Sequence, residues 1–545
     1  MAVLQDTMTL VTEYPVLTTL ICILFYGVSL VFYRLLLHPL SNFPGPKLAA
    51  ATLWCEFYHD VVRNGQYTFE IKRMHEIYGP IVRISPHELH INDPSYVDKL
   101  YVAGGKKRHK YEYFVRQFGI PDSVFSTVDH DLHRMRRGAM NRFFSKASVT
   151  RLEPLIRDTV AKLCVQLETY AGTGRPAKLN SAFSCMTTDI VTEYAFARSY
   201  NFLSSREFEP NFHKAITAGS DMGPLIKQAP WVLTLMRCLP EQVVARLNPA
   251  MAVYLKFQTD MRKQIAEIQS KPASERKGGR TDATIFHELL EGSLPDAEKR
   301  LERLWQEGQI IVGAGTETTA WSKPTTPPHL HDHRPNHNIL PAALSATIFY
   351  LLWEPDAMDR LRKELETAIP DPAVLPPLQT LEQLPYLSAV ITEGLRLSYG
   401  VATRLQRVCD EPMAFVSGTG PTGQQGAAGT TAYTIPAGTP VGMSCPLVHM
   451  NDDLFPQPER FRPERWIDAP PGLGGYILAF SKGSRQCIGI NLAYAELFCG
   501  IAAVVRQFGH RLELFDTDLS DVGMLHDLFV PTPKLDTQGI RVLVR

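Results

Sequence analysis

Cys487 stands in a stretch whose residue types suit one kind of chemistry. It follows Phe480, Gly483 and Arg485 and precedes Gly489, from which an apolar run leaves with helical spacing. Gly483 and Gly489 carry no Cβ, so the backbone can bend there and come close to something flat and bulky. Backbone N–H groups and the positive end of the following helix favour a thiolate over a thiol. Arg485 adds a positive charge two residues before the cysteine. A lone thiolate held this way suits an axial ligand to haem iron; the plainer reading is a buried structural cysteine.

A second candidate is the run Ala314, Gly315, Thr316, Glu317, Thr318, Thr319, inside a helix expected from Leu304 to Trp321. Glycine and clustered threonines weaken a helix at its centre. Such a defect is tolerated where a ligand must approach or water must enter. The plainer reading is an ordinary helix end capped by Thr and Glu.

Phe480, Gly483, Arg485, Cys487 and Gly489 meet F-x-x-G-x-R-x-C-x-G, which resembles the haem-ligand signature of the cytochrome P-450 superfamily. Ala314, Gly315, Glu317, Thr318 and Thr319 likewise meet the family's A-G-x-[DE]-T-T. The resemblance implies a haem-thiolate monooxygenase with a mainly α fold and a small β region, a triangular helical domain around haem. It makes Cys487 the iron ligand, with Phe480, Arg485 and Gly489 in the cofactor loop. Glu317 and Thr318 would supply protons to the dioxygen being split, beside Ala314 and Gly315 next to the substrate. Aligned on Phe144 and Ser145, the basic stretch from His133 is similar to the family helix whose tryptophan and arginine reach a haem propionate. Arg137 falls on the arginine, and His133 stands where the tryptophan is expected. Arg404 and Arg407, on an expected strand, are further candidates for a propionate. Glu393 and Arg396 share a helix face and, with Arg465, match the family's structural ion triad.

The elements that would position these residues can be read along the chain. At 545 residues, with 45% hydrophobic and 21% charged, it can bury a large core. Lys+Arg and Asp+Glu balance at 56 each, so nothing argues for a nucleic-acid partner. The nine cysteines are scattered without a C-x-x-C pair, which speaks against disulfides or zinc and fits a reducing compartment. Val16 to Tyr33 is an 18-residue run without a charge, about the minimum for a membrane span. Acidic residues precede it and Arg34 and Lys47 follow, which places the body of the protein on the cytoplasmic side. The expected division is a short lumenal segment at 1–15, a transmembrane anchor at 16–37, a proline-rich hinge at 38–50 and the catalytic domain at 51–545. The anchor and hinge are typical of microsomal members, which implies the endoplasmic reticulum. Two short strands are expected around a turn at Ser85 and Pro86. A Pro-interrupted apolar stretch between Lys214 and Leu247 would by analogy roof the substrate.

One segment does not fit. Residues 322–342 carry five Pro and four His and cannot continue the helix begun at Leu304. A surface loop is one explanation; a metal site at His329, His331, His333 and His337 is another, although a His/Pro tract need not fold. The favoured one is a retained intron. Ser322 and Lys323 can be read as AGT-AAG, a splice-donor-like GTAAG, and Pro341 with Ala342 can supply a terminal CAG. Excision keeps the frame and leaves a threonine codon. A second long loop, 417–431, is flexible by composition.

The wording of several stretches resembles fungal secondary-metabolism members similar to trichodiene oxygenase. That implies insertion of one oxygen atom of O2, by hydroxylation or epoxidation, into a lipophilic small molecule, a terpenoid or polyketide. Electrons would come from NADPH through a membrane-bound NADPH–cytochrome P-450 reductase, with cytochrome b5 as a further donor, since the chain shows no flavin or nicotinamide domain. The rival readings are a reductase-independent peroxide isomerase and a non-catalytic haem or membrane protein disabled by the insertion. Transcripts read across Trp321 to Ala343 are expected to lack the segment; transcripts that keep it would overturn the intron reading.

Overall fold

The computed structural model describes residues 14–205, 208, 222–270, 284–320, 343–416 and 432–545, with the side chains of 241, 250 and 317–320 excepted. The His/Pro tract, its four histidines and the 417–431 loop therefore lie outside the described residues. Proline at the first turn of a helix forfeits no hydrogen bond, and Pro15 opens α1 (Pro15–Phe32) there. This helix continues to Leu37 in wider turns. Within its 23 residues an 18-residue stretch has a mean hydropathy of 2.2 and none of it is buried, so the helix is long and apolar enough to cross a membrane.

The proline-rich hinge is stitched into the domain. The Arg83 N–H donates to the Pro44 carbonyl at 2.7 Å, and Arg83 Nη1 to that of Arg34 at 2.9 Å. Phe43 stacks on Tyr433 at 5.2 Å. Ile81–Arg83 pairs antiparallel with Leu89–Ile91 around the expected turn, and Pro440–Gly442 and Arg407–Val408 complete the four-stranded sheet. A separate hairpin joins Met413–Val416 to Ala432–Ile435, flanking the long loop.

The rest is helical. The Asp129 side chain accepts from Leu132 N–H to start α2 (His130–Asn141), and Ser145 caps α3 (Lys146–Glu168) in the same way, as short polar side chains do at a helix start. α4 (Leu179–Phe196) is buried on nearly every face, and α5 (Pro249–Ser270) follows. α6 (Leu301–Ala320) packs along α4 and α5 at the centre of the domain. α7 (Ala343–Trp353), buried from Ala343 to Leu351, lies against α9 (Pro385–Ser398), with the amphipathic α8 (Pro355–Ala368) outside. α10 (Ile490–Phe508) runs from the cysteine loop through the core against α3. Its buried leucines, valines and alanines belong to one continuous cluster with those of α4, α6 and α7.

Two buried ion clusters tie these layers together. On one side Arg396 donates from Nη2 and Nε to the two Glu393 oxygens at 2.7 and 2.9 Å. Arg465 Nε adds 3.0 Å and Trp466 Nε1 2.8 Å, while the spare Arg396 Nη1 donates to the His449 and Pro458 carbonyls. On the other, the helical segment 222–228 sends Lys227 between Glu56 at 2.5 Å and Asp60 at 3.1 Å. Burial pushes the Glu56 carboxyl up, but Lys227 and Arg404 together overcome it and hold it at about 2.

Removing one partner from a buried pair leaves a charge with no compensation, at a cost of about 3–5 kcal/mol. Arg396→Leu is expected to lower stability by that much in urea unfolding; a loss below about 1 kcal/mol would show that Glu393 is stabilised by its other donors alone.

Candidate functional site

The cysteine loop is fixed by contacts from far along the chain. Gly483 has φ +72° and its missing Cβ would fall on the Tyr101 and Val102 carbonyls, so a side chain is excluded there. Cys487 N–H donates to the Phe480 carbonyl at 2.9 Å, closing the loop, and Gly489 caps α10. Arg485 donates to the Thr127, Val128 and Asp129 carbonyls at 2.7, 2.8 and 3.1 Å, clamping the loop to the start of α2.

Cys487 presents its sulfur to an internal cavity of about 320 Å³. Its surface is accessible from the cavity while protein surrounds it on the other sides, so a charge there is poorly solvated. Burial therefore pushes the thiol above its ordinary value, with the Gly489 N–H and Arg137 pulling it down. That corrects the expectation that the loop by itself favours a thiolate. A metal cation at the sulfur removes the proton outright.

Phe480, Gly489, Ala314, Gly315, His133, Arg137 and Arg485 all line the same cavity. Lys110 and Arg407 join them. None of Lys110, Arg137, Arg407 and Arg485 pairs with a described carboxylate. Arg137 Nη1 donates to the Gln486 carbonyl at 2.5 Å, Arg407 Nη2 to Ser481 Oγ at 3.3 Å and Lys110 to the Phe125 carbonyl, while Arg485 Nε is buried without a partner. Burial lowers all four, and mutual repulsion adds to it in two: Lys110 is pushed well down by burial, Arg485 and Arg407, and Arg485 falls to about 9 through burial and Arg407. Burial, with Arg485, Lys110 and Arg137, drives His133 down to about 2, so its ring is neutral. Buried positive charge of this density calls for anions, and heme b carries two carboxylates beside a ring that a thiolate can ligate. The residues present fit that group.

Arg404 is not among them, which corrects its assignment. From 404 to 407 the chain alternates: Leu405 and Arg407 line the cavity, whereas Arg404 and Gln406 both donate to Glu88, at 2.8 and 2.7 Å. Arg404 also holds Glu56 at 2.6 Å, so its charge is already neutralised.

Above the cysteine, α6 turns Gly313, Ala314 and Gly315 to the cavity, with Ala314 exposed to it. Gly315 serves a second need. A Cβ there would meet Val191 Cγ2 of α4 at 2.8 Å, so the glycine lets the two helices close rather than only leaving room for a ligand. Glu317 and Thr318 stand on the last turn of α6; their side chains lie outside those described.

Sequence reasoning missed the aromatic wall. Phe118 meets Phe125 and Phe529 edge-on at 4.9 Å each, and all three line the cavity. Phe529 tips the hairpin of His526–Leu528 with Val530–Thr532 at φ +79°, a conformation costly for a bulky residue. Asp527 holds it there: Oδ1 accepts from Phe529 N–H at 3.1 Å and Oδ2 from Thr68 Oγ1 at 2.5 Å. A phenylalanine with φ > 0 leaves no trace in the sequence.

A family model described as Cytochrome P450 matches residues 46–323 and 341–537, breaking across most of the His/Pro tract. The chain is 40% identical over its whole length, and that of the relative, to cytochrome P450 monooxygenase tpcC of Cochliobolus heterostrophus. It is 38% identical to N-acetyltryptophan 6-hydroxylase ivoC of Emericella nidulans, covering 98% of both chains. To tryptophan 6-hydroxylase fscE of Fusarium equiseti it is 39% identical, covering 95% of this chain and 94% of that one.

Burial pushes the Asp527 carboxyl up to about 6, with Thr68 pulling it down. A carboxyl raised in the folded state stabilises it fully only below the unfolded value near 4, and that contribution is lost as pH rises through about 6. Asp527→Asn stays neutral and keeps an acceptor for Phe529. It is expected to gain up to about 3 kcal/mol over the parent at pH 8 and about half that at pH 5, by urea unfolding. An equal gain at both would refute the shift.

Proposed function

The chain belongs to the cytochrome P450 family, and on that premise we propose that it inserts one oxygen atom of O2 into a lipophilic intermediate of secondary-metabolite biosynthesis, a terpenoid or polyketide. It is a monooxygenase using heme b, with electrons from NADPH passed on by a reductase. The observation that carries the reading is Cys487, set on a clamped loop, facing a cavity ringed by unpaired cations.

Cys487 would ligate the iron, and Arg137, Arg407, Arg485 and Lys110 would hold the two carboxylates, with neutral His133 beside them. Haem bound here supplies the activation of dioxygen. The chain's own part is to orient and to exclude water. The buried α6 and α10 close two walls, and Phe118, Phe125 and Phe529 close a third. Glu317 and Thr318 are the residues assigned to proton delivery, carried by the helix turn that follows Ala314 and Gly315.

The apolar span supports membrane anchoring, in the endoplasmic reticulum with the domain on the cytosolic face, where the reductase and cytochrome b5 would dock. The division at 15, 37 and 50 and the intron reading of 322–342 belong to the same proposal. Two of the relatives are named as hydroxylases of tryptophan or its N-acetyl form, so aromatic hydroxylation lies within the range of the group.

The reduced protein, expressed with 322–342 in place, is expected to give a thiolate-type Soret band with carbon monoxide, and Cys487→Ser to lose it. Absence of the band with the segment in place, and its recovery when 322–342 is deleted, would keep the enzyme assignment and mark the insertion as a gene-model error. Its absence in both forms would overturn the haem-thiolate reading, and turnover without NADPH and reductase would favour a peroxide isomerase.

A further inference from the structure

Where the apolar span meets the domain, cations and imidazole rings gather. Arg34 lies in the last turn of the span, and its Nη1 donates to the Ala51 carbonyl at 2.8 Å. Arg83 is buried, with Nη1 on the Arg34 carbonyl at 2.9 Å and Nη2 on that of Pro86 at 2.8 Å. His38 and His87 stand with them, their ring centroids 5.4 Å apart. These bonds fix the group in place between the helix, the hinge and the first two strands of the sheet.

No described carboxylate compensates this charge. The two guanidiniums donate to carbonyl oxygens alone, and the charges acting on Arg83, His38 and His87 are one another and Arg34. Burial and Arg34 lower Arg83 to about 10, so it remains a cation. Burial, with Arg83, His87 and Arg34, brings His38 to about 4, so its ring is neutral. Its Nδ1 accepts from the Leu40 N–H at 3.1 Å, which leaves the ring proton on Nε2 as a donor. Three side chains keep donors open to the surface. Arg34 Nη2 and His38 Nε2 have no partner among the described residues and are not enclosed, and His87 is exposed with neither ring nitrogen bonded.

An oxyanion satisfies the donors and the charge together, and the place identifies its carrier. Arg34 closes a helix long and apolar enough to cross a membrane, so the group stands at the depth of the lipid heads. Leu36, Leu37, Leu48 and Trp54, close to it in the chain, are exposed apolar side chains. With no carboxylate to meet an ammonium, a head carrying phosphate alone fits better than one carrying choline. We propose that Arg34, His38 and His87 form a binding site for the phosphate of an anionic membrane phospholipid, with buried Arg83 adding charge from within. This rests on the anchoring reading and gives the anchor a specific ligand. A lipid held there would bridge the span and the sheet, and so set the tilt of the domain against the membrane.

The test is calorimetric titration of the haem-loaded full chain, in neutral detergent, with dioctanoyl phosphatidic acid, dioctanoyl phosphatidylcholine and inorganic phosphate. Phosphatidic acid is expected to bind at least about tenfold tighter than either of the others. His87→Asp places a carboxylate in the site at an exposed position with no hydrogen bond to lose, and is expected to weaken phosphatidic acid about tenfold while the carbon-monoxide band is kept. Arg34→Gln is expected to do the same, whereas Lys72→Gln, at an exposed lysine of the helix Tyr67–Tyr78, is expected to change binding less than about twofold. Equal binding of the two lipids, inorganic phosphate as tight as phosphatidic acid, or an equal loss in Lys72→Gln overturns the site. Flotation of the chain with pure phosphatidylcholine vesicles reads the anchor separately: a chain that does not float strikes the membrane span, whereas the titration strikes only the phosphate site.

Discussion

Four cations around one cavity, three of them buried and Arg137 half-buried, with no described carboxylate to pair them, set the terms for the rest of the molecule. Lys110 comes from the loop before α2, Arg137 from α2, Arg407 from the sheet and Arg485 from the cysteine loop. Each is held by carbonyl or hydroxyl oxygens, which orient a charge without cancelling it. Such a convergence is tolerable only if the surrounding framework is rigid and an anionic partner is shared among the four. The framework is rigid for visible reasons: α10 and α4 are buried along most of their length, and Glu393 with Arg396 locks the helix beneath.

The cavity has two chemically different ends as a result. Near Cys487 it is cationic. Further out, beyond Ala314, it is aromatic, walled by Phe118, Phe125 and Phe529. A positive floor suits a dianionic prosthetic group, and an aromatic wall suits a neutral apolar guest. The helix α6 spans both ends, so a shift of its register would alter both at once.

Much of this was legible in the sequence where spacing alone carries the information. The cysteine loop, the helix weakened at Gly315, the three-apart pair Glu393 and Arg396 and the two strands around Ser85 are local patterns, and each stands where its residues suggest. What depended on contacts across the chain was read less well. Arg404 and Arg407 are equivalent by composition; only the alternation against Glu88 separates them. Gly315 reads as space for a ligand until Val191 of another helix is placed beside it. The thiolate expectation counted N–H groups but not burial, which works the other way. Phe529, more than 400 residues from Phe118 along the chain, could not be joined to it without the fold.

Lys227 gives the roof an electrical character. It brings the ammonium of segment 222–228 to two carboxylates of the segment just after the hinge, while Arg404 serves Glu56 and Glu88 together. Lifting that segment would strand Glu56, Asp60 and Glu88 around a single guanidinium in a place where water does not reach. Parting the segment from Glu56 and Asp60 therefore costs the uncompensated burial of their charge as well as the broken contacts, a cost that falls only if water or another cation takes the place of the ammonium.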